Sequence, residues 1–373
     1  MQKRMPELDA VRAIAVLIVI IHNAPDKYPY SLVERLAASG WMGVDLFFVL
    51  SGFLITGILL DSQESRDYFR NFYARRCLRI WPLYYLLLVC LFVAVPLMSS
   101  RESALIFSAR SSPWWAFPLF LQNFLVSRPA GAVGLLGVTW SLAVEEQFYL
   151  VWPWVVRYCS GKQLRRISVA VICLSPLLRL YLSSHGVDIY SNLFCRLDGL
   201  MAGGLLALLA RSTSFQGSKF TRAAWGCLLV SAPLAVWVDA PANRWFVHSL
   251  AALAAVSFVY LTLYCGQDWF RAILTNRFLV YAGTISYGLY LLHKIPFDVA
   301  KLLGWPDNPL LVTPIVFAVT FGLASLSWKL WERPFLALKS KFPATSASES
   351  AGSVRSGSRS DCPIADPESA AIT

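Results

Sequence analysis

The sequence contains little charge for its length. Asp, Glu, Lys and Arg make up 15% of the 373 residues, whereas about 25% is typical of soluble globular domains. Hydrophobic residues reach 57%, and the mean hydropathy is +0.54. This composition excludes an ordinary soluble globular protein. It predicts an all-α, polytopic integral membrane protein, because one crossing needs ~20 mostly apolar residues and the length accommodates about ten.

Acidic residues are scarcer than basic ones. The chain has 33 Lys and Arg against 22 Asp and Glu, a formal net charge of +11, and a pI near 9.4. A nucleic-acid-binding protein would gather this charge on one face of a soluble module. Here the basic residues fall in short connections between apolar runs, which is the positive-inside pattern of membrane proteins. We therefore expect a lipid bilayer around the chain and no nucleic-acid partner.

Paired cysteines and metal-binding spacings are also missing. None of the eight cysteines belongs to a CxxC pair or to a Cys/His pattern with zinc-site spacing. This argues against a disulfide framework, and we expect no metal. The first apolar run is interpreted as an uncleaved span, because Asp9 and Arg12 interrupt it and no small-x-small cleavage site follows.

Ten apolar runs predict ten membrane-spanning helices in one domain, residues 1–340. They lie near residues 8–24, 41–60, 80–98, 140–158, 168–184, 193–211, 223–240, 247–266, 279–298 and 310–331. A cytoplasmic N-terminus gives fourteen Lys and Arg in internal connections and seven in external ones, so both termini are expected in the cytoplasm. The short apolar segment 114–126 is interpreted as interfacial or re-entrant. Residues 341–373 are expected to form a disordered polar cytoplasmic tail.

The first and fourth runs carry ionisable residues, which are costly inside a bilayer and therefore candidate functional residues. Arg12 lies near the cytoplasmic end of the first run, and His22 follows about 15 Å further along it. A histidine suits a general base acting on a hydroxyl, although an interfacial hydrogen bond explains His22 equally well.

In the fourth run Ser141, Glu145 and Tyr149 form a helical stripe. Glu145 is expected at the depth of His22, where it would orient the imidazole, or else in a buried polar network.

A cluster of three arginines, Arg75, Arg76 and Arg79, lies in the second cytoplasmic connection. Spacings of three and four residues place the guanidinium groups together on a helical turn. Arginine forks match phosphate oxygens, so the cluster suits a phosphorylated cofactor such as coenzyme A. Attraction to anionic lipid is the alternative explanation.

Two further runs carry charged residues near their outer ends. Asp45 enters the second run, either as a buried carboxylate that needs a cation or as a cap at the outer interface. Arg196 and Asp198 lie at the outer end of the sixth run. Gly199 and Gly203, four residues apart in that run, predict close helix packing.

The ninth run places Ser286, Tyr290 and His293 on one helical face. The second intramembrane histidine is a candidate substrate-binding or supporting residue. A structural hydrogen bond is the alternative.

Taken in order, these motifs resemble the acyltransferase 3 family of membrane O-acyltransferases, from residue 8 to about 336. The sequence WERPF at residues 331–335 is similar to the end of the family's final span. The resemblance implies about ten spans and transfer of an acyl group, often acetyl from cytoplasmic acetyl-CoA, to a hydroxyl of an extracytoplasmic glycan or another glycoside.

The resemblance also implies roles for individual residues. His22 and Glu145 match the family's catalytic residues. The acyl-CoA donor would be bound by four arginines, Arg12, Arg75, Arg76 and Arg79. One spacing departs from the family pattern, because nine residues instead of ten separate Arg12 from His22. On a regular helix the two side chains would then point ~80° apart.

We therefore predict an O-acyltransferase of the bacterial inner (cytoplasmic) membrane that uses acetyl-CoA or another acyl-CoA. The acceptor stays open among O-antigen, exopolysaccharide, peptidoglycan and a secreted glycoside, and His22 is either a general base or a nucleophile. The chain is expected to act alone or to pass its acyl group to a separate periplasmic acceptor protein. The rival hypothesis is a transporter or flippase with a proton relay of buried carboxylates and histidines. Its typical repeated halves are not evident in the sequence.

Overall fold

A computed structural model describes residues 5–24, 31–94, 113–125, 135–212, 215–305 and 309–343. All regular secondary structure within these residues is helical, which confirms the all-α prediction. The expected tail falls almost entirely outside the described residues, as does the end of the third predicted span.

Sixteen α-helices are numbered here in chain order within the described residues. Helices α1 to α8 are Pro6–His22, Ser31–Ala38, Met42–Asp61, Tyr68–Val89, Gln122–Leu125, Trp140–Tyr158, Gly161–Ser184 and Leu193–Ala210. Helices α9 to α16 are Thr221–Trp237, Arg244–Tyr264, Asp268–Leu274, Arg277–Thr284, Ser286–Leu292, Lys294–Leu302, Pro309–Ser327 and Arg333–Ala337. Two π-helical turns, Cys90–Ala94 and Trp328–Glu332, follow α4 and α15.

Seven helices in the described part of the chain are long and apolar enough to cross a membrane, namely α3, α4, α7, α8, α9, α10 and α15. The other three predicted spans differ for identifiable reasons. Helix α1 carries Asp9 and Arg12 within 17 residues, and α6 carries Glu145, Glu146 and Arg157. The ninth predicted span is divided into α12, α13 and α14. Both predicted catalytic residues, His22 and Glu145, therefore lie on helices that are unlike simple apolar spans.

Helix α4 begins at Tyr68 rather than near residue 80, where the third span was predicted to start. The three arginines of the predicted phosphate-binding cluster lie on this helix, continuous with the apolar part that follows. The difference has a simple cause, because the arginine spacing that groups the side chains is itself helical. The guanidinium groups are thus fixed relative to the membrane-embedded part of α4.

Close backbone contacts at glycines hold α3 against α8. A Cβ atom on Gly203 would lie 1.9 Å from the carbonyl oxygen of Val49, and one on Gly52 would lie 1.9 Å from that of Leu200. Such distances are far below a van der Waals contact, so only glycine fits at either position. The close packing predicted for Gly203 is confirmed.

Helix α1 lies between α3 and α12 and is equally tightly packed. A Cβ atom on Gly43 of α3 would lie 2.4 Å from the carbonyl oxygen of Ala15, and one on Gly283 of α12 would lie 1.9 Å from that of Asp9. Because both neighbours approach its backbone so closely, α1 holds Arg12 and His22 at fixed heights in the bundle.

Residues 113–125 contain only a 3₁₀ turn, Trp114–Ala116, and the single helical turn α5. Trp114 is 66% exposed, whereas Gln122 and Asn123 are buried against the bundle. These features agree with the interfacial or re-entrant interpretation of this segment, because tryptophan is enriched where a membrane protein meets the bilayer surface.

Candidate active site

Five helices, α1, α3, α4, α6 and α13, surround a cavity of about 120 Å³. Its lining on α3 extends from Val44 to Ile58, so it follows that helix for about 21 Å at ~1.5 Å per residue. This is much of the ~30 Å thickness of a bilayer core. We call it the arginine cavity. Its polar lining consists of Arg12, Ser51, Arg76, Arg79, Ser141, Glu145, Tyr149, Ser286, Tyr287 and Tyr290.

Three arginines give this cavity an excess of positive charge. Arg76 and Arg79 come from α4 and Arg12 from α1, whereas Glu145 is the one carboxylate in the described lining. Asp9 offsets part of the excess, because its Oδ1 lies 2.7 Å from Arg12 Nη1. Guanidinium groups donate in a planar fork that matches phosphate or carboxylate oxygens. The cavity can therefore attract and bind an anion.

Glu145 lies at the middle of the cavity and accepts two hydrogen bonds. Ser51 Oγ donates to Oε1 over 2.7 Å, and Tyr149 OH donates to Oε2 over 3.1 Å. The pair Glu145 and Tyr149 is one helical turn apart, as the stripe on this run predicted. Ser51 completes the cluster from α3, and both carboxylate oxygens are therefore hydrogen-bonded.

Hydroxyl groups lie at the Val44 end of the cavity. Tyr290 donates to the carbonyl oxygen of Val138 over 2.9 Å, and its OH lies 2.5 Å from Ser141 Oγ. Ser286, one turn before Tyr290 on α13, also lines the cavity. The cavity lining thus combines charged guanidinium groups with neutral hydroxyl groups.

His22 is not among the described lining residues of the arginine cavity. Its Nδ1 lies 3.3 Å from the carbonyl oxygen of Ala37, and its Cβ packs against Gly40. A carbonyl oxygen can only accept, so in this contact Nδ1 carries a proton, and in the neutral imidazole the lone pair is then on Nε2. Because α1 is a continuous α-helix through His22, the departure of ~80° between His22 and Arg12 is retained.

The expectation that Glu145 lies at the depth of His22 is wrong. Glu145 is hydrogen-bonded to Ser51, which lies eleven residues, ~16 Å along a helix, beyond Gly40, and Gly40 is the residue that packs against His22. The hydrogen-bond partners of Glu145 are Ser51 and Tyr149. The sequence fixes heights along single helices, but the offset between α1 and α6 depends on how they pack.

His293 adjoins the hydroxyl-lined end of the cavity. It is fully buried, its Nδ1 lies 2.6 Å from the carbonyl oxygen of Tyr290, and the two rings are 5.9 Å apart. Its Nε2 has no hydrogen-bond partner within the described residues. Helix α1, which ends at His22, packs against α13, which is followed directly by His293. The two histidines that the sequence placed on different runs therefore lie in the same part of the bundle.

Arg75 faces away from Arg76 and Arg79. Its Nη1 donates to the carbonyl oxygen of Phe342 over 3.0 Å, and it lines a separate small pocket together with Asn71 and Pro343. Asn71 donates to the carbonyl oxygen of Pro343 over 2.9 Å. The predicted three-arginine cluster is therefore divided. Arg76 and Arg79 line the arginine cavity, whereas Arg75 is hydrogen-bonded to the segment that follows α16.

Asp45, Arg196 and Asp198 belong to a different buried cluster, which we call the closed network. Arg196 Nη2 lies 3.0 Å from Asp45 Oδ2, and Arg179 Nη2 lies 2.8 Å from Asp198 Oδ2. Arg196 also donates to Nδ1 of His248. The network joins α3, α7, α8 and α10. Its members pair with one another, so it lacks the excess of one charge found in the arginine cavity.

Sequence reasoning did not identify Ser51 of the arginine cavity, or Arg179 and His248 of the closed network. Ser51 and His248 gave little signal, because a lone hydroxyl or a lone histidine in an apolar run has many explanations. Arg179 could have been identified, because it is an isolated charge in the apolar part of the helix α7. In the described residues no group of three or more His, Cys, Asp or Glu side chains is arranged to hold a metal ion.

Comparison with known proteins identifies the family. The model of the acyltransferase 3 family, described as an acyltransferase domain, matches residues 5–329. YrhL of Bacillus subtilis, which has the provisional name of a peptidoglycan O-acetyltransferase, is 31% identical over 88% of this chain and 54% of its own length.

Two other relatives show similar coverage. The peptidoglycan O-acetyltransferase OatA of Listeria monocytogenes is 28% identical over 89% of this chain and 56% of its own length. SAS0844 of Staphylococcus aureus, provisionally named an O-acetyltransferase, is 28% identical over 89% of this chain and 57% of its own length. The chain thus spans about half the length of these relatives. No solved structure matches it significantly. The match across nearly all of the helical bundle shows that the chain belongs to the acyltransferase 3 family.

Proposed function

We propose that this chain is a membrane-embedded O-acyltransferase that moves an acetyl group from cytoplasmic acetyl-CoA to a hydroxyl of a cell-surface glycan. Family membership supports acyl transfer, and the names of two relatives favour peptidoglycan as the acceptor. The observation that carries the proposal is the arginine cavity, an anion-binding passage about 21 Å long between the helices.

The proposed topology has ten crossings with both termini in the cytoplasm of a bacterial cell, in its inner membrane. Helices α1 and α6 and the broken unit α12 to α14 would cross in addition to the seven apolar helices. Burial of α1 against its neighbours supports this count, because Leu8, Val11 and Ile20 are fully buried despite the short length of the helix. With this topology, Arg76 and Arg79 lie toward the cytoplasm and His22 toward the outside.

The donor would enter at the arginine end. A coenzyme A molecule carries several phosphate groups, and the guanidinium groups of Arg12, Arg76 and Arg79 offer a compensating charge in a site of low dielectric constant. The pantetheine arm would then extend along the cavity past Glu145. Arg75 would join the donor site only if the segment at Phe342 released it.

The acyl group would react at the other end. His22 would use the Nε2 lone pair either to take the proton of the acceptor hydroxyl or to form an acyl-imidazole that the hydroxyl then attacks. In both routes the thiolate of coenzyme A leaves and the hydroxyl proton passes to the imidazole. His293, Tyr290, Ser141 and Ser286 would supply supporting hydrogen bonds there.

The catalytic role of Glu145 takes a different form from the one expected. A carboxylate bonded to Ser51, ~16 Å along the helix from the contact between Gly40 and His22, cannot orient the imidazole directly. We propose instead that Glu145 aligns the donor in the middle of the cavity, through Ser51 and Tyr149 and by balancing the charge of Arg12. The domain is proposed to extend over residues 1–340, and a separate extracytoplasmic acyl acceptor protein is a proposed partner.

The test is release of coenzyme A from acetyl-CoA by the purified full chain in lipid nanodiscs, with peptidoglycan fragments as acceptor. We expect acceptor-dependent release, and His22→Ala should reduce it by about 10²-fold to 10⁴-fold. An acetyl label trapped on the wild-type chain and absent from His22→Ala would establish the covalent route.

Arg166→Gln is the matched control for arginine changes in the cavity, because Arg166 is exposed on α7. It should leave the rate unchanged. If His22→Ala retained full activity, the proposed chemistry would be wrong. If acetyl-CoA bound but no coenzyme A were ever released, a transport function would be favoured instead.

A further inference from the structure

Glu332 is a buried carboxylate that the proposed reaction does not yet use. It is 3% exposed and ends the π-helical turn Trp328–Glu332, inside the WERPF sequence. Ser327 Oγ donates to its Oε1 over 3.2 Å, whereas Oε2 has no hydrogen-bond partner within the described residues. Burying a carboxylate is costly unless a cation lies nearby. π-Helical turns are also frequent at functional sites.

The carboxylate lies against the wall of the arginine cavity. Its Oε1 would be 3.0 Å from a Cβ atom on Gly288, so the missing side chain at this position allows its approach. Next to Gly288, Tyr287 lines the cavity and donates to the carbonyl oxygen of Ile80 over 2.7 Å. Ile80 directly follows Arg79 on α4. Glu332 therefore lies close to the part of the cavity wall that carries Arg79.

The π-helical turn that ends at Glu332 packs against α4, and Arg79 on that helix is close enough for its charge to act on the Glu332 carboxylate. An arginine has donors on more than one edge of its planar guanidinium group, so one edge can face a carboxylate while another faces a ligand. Without a fixed partner, its long side chain has many rotamers, and ordering them costs free energy on binding.

We propose that Glu332 is a positioning residue, which holds the Arg79 guanidinium toward a phosphate group of the acyl-CoA donor. The inference depends on the proposed function, because it requires Arg79 to contact the donor. It assigns to the WERPF sequence a task in donor binding, carried out through Arg79 rather than by direct contact with the acyl group.

The experiment measures kcat and KM for acetyl-CoA with the full chain in nanodiscs. Glu332→Gln preserves shape and removes the charge, so we expect KM for acetyl-CoA to rise about tenfold while kcat stays within about twofold. Gly288→Ala should raise the same KM by a smaller factor, since a methyl group at 3.0 Å displaces the carboxylate. Glu34→Gln, at an exposed position on α2, is the matched control and should leave both constants unchanged.

A double-mutant cycle separates positioning from mere structural support. If Glu332 acts through Arg79, Glu332→Gln should add little to the KM of an Arg79→Lys variant. Additive effects, or a lower kcat at unchanged KM, would overturn the inference. If Arg79→Lys raises KM and Glu332→Gln does not, the inference fails while the proposed function stands. If Arg79→Lys leaves KM unchanged, Arg79 does not contact the donor and the inference fails, whereas the proposed function fails only if the wild-type chain releases no coenzyme A.

Discussion

The arginine cavity and the closed network both bury charges inside the bundle, but they balance them differently. In the closed network two arginines meet two aspartates, and Arg179 and Arg196 are 0% and 1% exposed. In the arginine cavity three arginines face one glutamate across open space. A charge inside a membrane protein is by default a functional candidate. From this comparison we expect charge balance and access to a cavity to distinguish a stabilising cluster from a ligand site.

The largest expected effect comes from opening the closed network. Asp45→Ala leaves Arg196 buried without its carboxylate, which should destabilise the protein by about 3–5 kcal/mol. The measurement is thermal unfolding of the purified variant in detergent. The exposed Glu64→Ala variant is its control. If Asp45→Ala unfolded at the wild-type temperature but no longer transferred acetyl groups, Asp45 would instead take part in the reaction.

Changing the arginine cavity should affect binding rather than stability. Replacing Arg76 and Arg79 together by Gln removes two charged donors, so acetyl-CoA should bind roughly 100-fold more weakly, with little change in the unfolding temperature. Equilibrium titration with acetyl-CoA measures the loss. Binding as tight as in the wild type would remove the main support for a donor site in this cavity. If the double variant were destabilised as much as Asp45→Ala, the proposed difference between the two clusters would be wrong.

Much of the helical architecture could be predicted from the sequence. The runs near 140–158 and 193–211 match α6 and α8 closely, because turn-forming residues and charges bound them. The run near 279–298 was predicted as one helix and is divided into three. The first break, at Ile285, lies inside an apolar stretch, so composition alone does not reveal it, whereas the second coincides with the polar pair His293 and Lys294.

The candidate site was only partly predictable, because its partners are distant in the sequence. Glu145 could be identified as a costly carboxylate, but its partner Ser51 is 94 residues away on another helix. The same holds for Arg196 and Asp45, which are 151 residues apart. A single sequence gives the height of each residue on its own helix. It does not give the offset between helices, which is why Glu145 was placed too close to His22.

Glu145→Gln tests whether the one carboxylate in the described lining of the arginine cavity contributes to acetyl transfer. The change keeps the size of the side chain but weakens two charge-assisted hydrogen bonds, from Ser51 and Tyr149. We expect about a tenfold fall in kcat/KM for acetyl transfer with a stable fold. Glu34→Gln, at an exposed position, again serves as the control. An unchanged kcat/KM would show that Glu145 has no part in donor alignment.

Ser51→Ala should have the smallest effect. It removes one neutral donor to Glu145 while Tyr149 still donates to the other carboxylate oxygen. A single hydrogen bond of this kind contributes about 1 kcal/mol, so kcat/KM should fall by roughly fivefold. The same steady-state assay measures it. A loss larger than that of Glu145→Gln would mean that Ser51 contacts the substrate itself.

The central claim is that the cavity connects a cytoplasmic donor with an acceptor on the other side of the membrane. The direct test uses sealed inside-out membrane vesicles containing peptidoglycan fragments, with labelled acetyl-CoA added outside. The account predicts label on the enclosed glycan, and none when His22 is replaced by Ala. Right-side-out vesicles with the donor outside should give no transfer. Equal transfer from donor supplied to either face would contradict the account.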